Sequence, residues 1–179
     1  MSPSRLPLLL LLGLGPGIAA CPGDPPPPPE PLTLVDHDLW VELAAEEDPF
    51  DDRPAEVDCS PLAYGYEYIG EGSFEVDLFS CDYLSVAQPS LRPVEVGDEL
   101  RLRLWHNQLS GPVGQAHLAV TLGGELAWEE WFDIPGAAEL VAPVWTATED
   151  VPEGSDLVFH VHNHGSNTYN LIEFSVTDL

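Results

Sequence analysis

Gly97-Asp98-Glu99-Leu100-Arg101-Leu102-Arg103-Leu104-Trp105 is the stretch whose reading decides the fold class. Leu100, Leu102 and Leu104 alternate with Arg101, Arg103 and Trp105. A period of two puts the leucines on one face of a strand and the charges on the other. Gly97-Asp98 turns the chain into that strand. Moving outward, Gly154-Ser155-Asp156-Leu157, followed by Phe159 and Val161, repeats the arrangement of a turn feeding a core strand. The two read as equivalent strands of a sandwich rather than a sequence repeat, because nothing else around them matches.

Further strand patterns fill the rest. Val35 to Leu43 alternates Leu39, Val41 and Leu43 against Trp40 and Glu42. Tyr64 to Ile69, a Gly70-Glu71-Gly72 turn and Ser73 to Phe79 predict a hairpin. Ala116 to Leu122, Leu126 to Ile134, Leu140 to Thr146, Leu157 to Asn163 and Tyr169 to Val176 follow, separated by Gly, Pro or Asn. Glu46 to Asp58 is acidic, carries Pro49 and Pro54, and reads as a loop. No stretch has a helical period of useful length. The expectation is an all-β domain over residues 35–179, an antiparallel β-sandwich of jelly-roll or immunoglobulin-like form.

The front of the chain is different. Arg5 and the apolar run Leu6 to Leu14 predict a signal peptide over residues 1–20, too short to span a bilayer. It closes with Ile18-Ala19-Ala20-Cys21, which resembles the bacterial lipobox. That resemblance implies cleavage before Cys21 and lipidation of its thiol, hence a membrane partner through a lipid anchor on a bacterial cell envelope. Pro22 follows, where the resemblance to enteric lipoproteins would put aspartate for inner-membrane retention, so the outer membrane is favoured. Residues 21–34 include Pro25 to Pro29, a polyproline II spacer rising about 3.1 Å per residue, and read as a tether.

Charge narrows the partners. The chain has no lysine, five arginines, 31 acidic residues and a formal net charge of −26. Such a surface repels nucleic acid and anionic headgroups. With Cys21 assigned to lipid, Cys59 and Cys81 remain as an even pair in an oxidising compartment, and a disulfide is expected. Two metal ligands are the alternative reading, without the C-x-x-C spacing that would support it.

The chemistry concentrates in Leu157-Val158-Phe159-His160-Val161-His162-Asn163-His164. With Leu157, Phe159 and Val161 turned to the core, His160, His162 and His164 share the other face. Matching the core faces of this strand and the next predicts a hairpin with Glu173 opposite His160, Leu171 opposite His162 and Tyr169 opposite His164. Same-face neighbours sit roughly 7 Å apart, so two of these imidazoles could meet at one ion with a ligand from elsewhere. Glu173, His106 and His117 are the suppliers considered. Imidazole and carboxylate suit zinc, copper(II), nickel or non-haem iron, with zinc or copper(II) the cofactors considered. His162-x-His164 resembles the cupin H-x-H motif, but no glutamate follows at that motif's distance. The other reading is a hydrogen-bonded polar face without metal.

Aromatic residues supply the remaining candidates. Trp40, Trp105 and Trp131 fall on charged faces, and Tyr64, Tyr66 and Tyr68 share one. Aromatic planes beside acids and amides suit sugar rings, and the architecture looks like that of carbohydrate-binding modules. That likeness implies a non-enzymatic binding module with a glycan or envelope protein as ligand. A metal-binding domain, with catalysis open, and a purely structural envelope lipoprotein are the other readings. There is no G-x-S-x-G elbow, H-E-x-x-H, P-loop or EF-hand loop. Asp48, Asp51 and Asp52 read either as a calcium-holding cluster or as a solvated acidic loop.

Overall fold

A computed structural model describes residues 29–68 and 72–178. The expected signal segment, Cys21, most of the tether and the Gly70-Glu71 tip lie outside these residues. Among them the chain is all strand and loop. In order come β1 (Leu32–Thr33), β2 (Val41–Glu42), β3 (Tyr64–Glu67), β4 (Ser73–Asp77), β5 (Tyr83–Pro89) and β6 (Glu99–His106). Then follow β7 (Leu109–Leu122), β8 (Glu125–Gly136), β9 (Glu139–Val141), β10 (Val144–Thr146), β11 (Asp156–His162) and β12 (Thr168–Thr177).

Two antiparallel sheets face each other. One runs β10-β6-β12-β4-β3, with β1 added on β12 and β9 on β6; the other runs β2-β5-β11-β7-β8. The chain crosses between them repeatedly, from β4 to β5, β5 to β6, β6 to β7 and β11 to β12. This is the winding of a jelly-roll β-sandwich. The expected alternation forms the core. Leu100, Leu102, Leu104, Phe74, Val76, Leu171 and Phe174 from one sheet meet Leu84, Val86, Leu118, Val120, Leu157, Phe159 and Val161 from the other, all buried. Burying each of these side chains contributes about 2 kcal/mol.

The β3–β4 hairpin forms as read, with Tyr64 opposite Val76 and Glu67 opposite Ser73. Cys59 and Cys81 are joined by a disulfide. Three expectations change. The Val35–Leu43 strand shrinks to Val41–Glu42, because Asp36 turns the chain: its carboxylate accepts from Asp38 N at 3.0 Å and its carbonyl from Leu39 N at 3.0 Å. Leu140–Thr146 breaks into β9 and β10 at Ala142-Pro143, where proline has no N–H for the ladder. The expected β11–β12 hairpin does not form. β11 pairs with β5 and β7, while β12 pairs with β4 and β6 in the opposite sheet. Alternation fixed which face of each strand is apolar, and two apolar faces can meet across the sandwich as well as side by side. A bulge between Leu171 and Glu173 also shifts the β12 register.

The turn near Asp36 carries a pH-sensitive contact. His37 Nε2 lies 3.2 Å from the Ile172 carbonyl, and Trp40 Nε1–H donates to His37 Nδ1 at 3.4 Å. Both bonds together require the neutral ring, and burial holds its pKa below 6.5 despite the raising effects of Ile172 O, Asp36 and Asp38. Below pH 6.5 the unfolded chain therefore takes up this proton before the folded one does, and stability falls until the folded ring protonates too. Replacing His37 by Gln is expected to flatten part of the pH dependence of the urea midpoint below 6.5.

Candidate functional site

The register of the five-stranded sheet gathers polar side chains on its outer face. His160 sits opposite Ser85 of β5 and Ala119 of β7; His162 sits opposite Tyr83 and His117. His117 in turn sits opposite Trp131 of β8. The tight β7–β8 turn and one bulge set that last pair. Gly123 and Gly124 both have positive φ, 65° and 89°, which a two-residue hairpin of matching twist requires. A register shift between Val120 and Thr121 then brings Trp131 rather than Glu130 opposite His117.

This face is roofed. The acidic segment 43–58 lies across it, anchored by Asp48, whose side chain is only 1% exposed. Asp48 accepts from the Tyr83 hydroxyl at 2.7 Å and the Ser85 hydroxyl at 3.1 Å, and pairs with Arg53 at 2.7 Å. Phe50 stacks on the His160 ring at 4.3 Å between centroids. Asp48 is therefore a buried anchor, Asp52 points at the histidines, and only Asp51 of the three acids is fully exposed.

Asp52 is the centre. Its Oδ2 lies 2.8 Å from His117 Nδ1 and 2.9 Å from His162 Nδ1, and its Oδ1 lies 3.4 Å from His160 Nε2. Burial alone would raise the Asp52 pKa, but the imidazoles of His160, His117 and His162 hold it well below the usual carboxylate range. Burial also lowers the His160 pKa, against the raising effect of Asp52. The far nitrogens are engaged in two of the three rings: His160 Nδ1 with Ser85 Oγ at 3.0 Å, and His117 Nε2 with Glu129 at 3.0 Å. Asp52 Oδ1, His160 Nε2 and His162 Nε2 are buried without a hydrogen-bond partner. Ligand atoms of Asp52, His117 and His160 all lie within 4.8 Å of one another.

The other residues singled out in the sequence fall elsewhere. His164 is exposed just past β11, with its ring edge-on to His162 at 4.8 Å. Glu173 belongs to the opposite sheet, where it pairs with Arg103 at 3.5 Å and accepts from Ser175. His106, on the same opposite sheet, is buried against Phe132 and Tyr169. Neither reaches the His160 cluster, for the reason that removed the β11–β12 hairpin. Trp40 packs on Phe74 and Phe159, against the core. Tyr64 also packs on Phe74 and donates its hydroxyl to Glu42, while Tyr66 lies between His37 and Tyr68. Tyr68 is exposed, so the three tyrosines form no common open platform.

Two tryptophans do face outward. Trp105 lies on the outer face of the seven-stranded sheet, opposite Asn170 and Leu140. Trp131, 49% exposed, lies parallel to the His117 ring at 4.1 Å and 2°. It lines a groove of about 380 Å³ beside the roof, with Phe50, Asp52, Thr121 and Glu129 among its walls.

No protein-family model matches this chain, and no curated protein matches it. Its backbone is similar to several solved structures. A carbohydrate-binding module studied for specific mannan recognition aligns with a TM-score of 0.46 at 8% identity, over 84% of this chain and 96% of that one. A module in complex with β-1,4-galactotriose aligns with a TM-score of 0.39 at 16% identity, over 69% of this chain and 88% of that one. The enzymatically active domain of tailspike protein 4 from bacteriophage CBA120 aligns with a TM-score of 0.36 at 15% identity, over 62% of this chain. The match spans only 16% of that tailspike chain. At these values the likeness is one of backbone shape, and the function must be read from the side chains.

Proposed function

We propose that the domain is a glycan-binding module whose sugar platform is the outward face of Trp131. The observation that carries this reading is the fixed, half-exposed indole at the rim of the groove. His117 holds one face of the ring flat and leaves the other toward solvent. Glu129 stands two residues away on the same strand face. Asp133, two residues beyond Trp131 on its other side, is oriented by a 3.0 Å hydrogen bond from Gln115. The C–H face of a pyranose stacks on such a ring, and carboxylates beside it take the hydroxyl hydrogen bonds. The anchor at Cys21 and the proline tether would display this face at the cell envelope.

The test is affinity electrophoresis of the purified protein against a panel of soluble polysaccharides. Trp131→Ala is expected to weaken retardation by the bound polysaccharide about tenfold. Trp105→Ala, on the opposite sheet, is expected to leave it unchanged. Retardation lost in Trp105→Ala and kept in Trp131→Ala would place the platform on the wrong sheet and end the proposal. So would a folded wild-type protein that no polysaccharide retards.

A further inference from the structure

The geometry points to a site for one divalent transition-metal ion, zinc or copper(II), held by Asp52, His117 and His160 beneath the 43–58 segment. The inference stands independently of glycan binding. Three side chains from three separate parts of the chain converge: one from the roof, one from β7 and one from β11. Their donor set, two imidazoles and one carboxylate, is that of borderline transition metals rather than of calcium or magnesium, which take oxygen.

The hydrogen bonding among these groups is incomplete without a cation. Asp52 Oδ2 faces two imidazole nitrogens, yet Oδ1 and His160 Nε2 lie 3.4 Å apart, buried, with no hydrogen-bond partner. The His160 side chain is completely buried, and its unpartnered nitrogen is aimed at the carboxylate. A buried polar atom left unpaired is uncommon in a native protein and calls for a ligand or another cause. An ion among these atoms would engage Asp52 Oδ1 and His160 Nε2 together.

The outer contacts agree. In metal centres an imidazole ligand donates its second N–H to a carboxylate or another acceptor, which fixes the tautomer and turns the free nitrogen toward the metal. His117 Nε2 meets Glu129 at 3.0 Å, leaving Nδ1 for the ion. His160 Nδ1 meets Ser85 Oγ at 3.0 Å, leaving Nε2. Ser85 is held in turn by Asp48. Access runs through the groove that Asp52 and His117 line. Because Asp52 belongs to the roof and the histidines to the sheet, the ion would also pin the 43–58 segment in place.

The experiment is titration of chelator-dialysed protein with zinc and copper(II) by calorimetry, with metal content measured after desalting. One ion per chain is expected, together with a rise in melting temperature on loading. Asp52→Asn, a change in the roof that leaves the sheet intact, is expected to abolish stoichiometric binding, as is His160→Gln. Glu129→Gln is expected to weaken it about tenfold, and His37→Gln, remote from the cluster, to leave it unchanged. The copper(II) form should show nitrogen hyperfine structure in its electron paramagnetic resonance spectrum. A folded wild-type protein that retains no stoichiometric ion overturns the site. So does binding that survives both Asp52→Asn and His160→Gln.

Discussion

Asp48→Ala is expected to lower stability by about 3 kcal/mol, the low end of the range for breaking a buried ion pair. The carboxylate is almost wholly buried, and its partners are the Arg53 guanidinium, the Tyr83 and Ser85 hydroxyls and the Phe50 backbone N–H. Removing it takes the acceptor from the Tyr83 hydroxyl and leaves the guanidinium without its carboxylate. Arg53 keeps some solvent contact, with 19% of its side chain exposed, which argues against the top of the range. Asp48→Asn keeps one acceptor and should fall between wild type and Ala. Urea unfolding with unchanged slope measures the loss. A cost below about 1 kcal/mol would mean that this anchor does not hold the roof.

Replacing both Cys59 and Cys81 by Ser is expected to cost a similar amount, about 3 kcal/mol for a loop of this length. The bridge spans a sequence separation of 22 and fastens the end of the roof segment beside the start of β5. Backbone bonds flank it on both sides, Ser60 N to the Ser80 carbonyl at 2.8 Å and Asp82 N to the Asp58 carbonyl at 3.0 Å. These can persist without the disulfide, so most of the loss arises from the freer unfolded chain. Reduction of wild-type protein should match the double variant. Because the bridge and Asp48 secure the same segment, their costs should not add, and a combined variant measures the coupling.

Much of the sandwich was legible because its strands obey a period of two: Leu100, Leu102 and Leu104 are buried, as are Leu157, Phe159 and Val161. β5 was not. Tyr83-Leu84-Ser85-Val86-Ala87-Gln88 buries small and polar residues on its second face, under the roof, so the outward half of the alternation carries no exposed charge to mark it. The site was legible only in part. Period two brought His160 and His162 to one face, and His117 stood among the possible companions. Asp52 is 65 residues from His117 and 110 from His162. Nothing local in Asp51-Asp52-Arg53 says that the second aspartate turns inward while the first meets water. The available signal was the hydrophobic Phe50 inside an acidic run, a side chain that needs cover and finds it on His160. Glu173 and His106 were misplaced because strand alternation defines faces but leaves open which sheet a strand joins.

The platform assigned to Trp131 is tested most directly by fluorine NMR of protein labelled with 5-fluorotryptophan, titrated with oligosaccharides of the polysaccharides surveyed. The five tryptophan resonances can be assigned by single Trp→Phe variants. Saturable displacement of the Trp131 resonance, with Trp105 and Trp40 unmoved, is the predicted result. Displacement of Trp105 with Trp131 unmoved, or no displacement by any oligosaccharide, would contradict it.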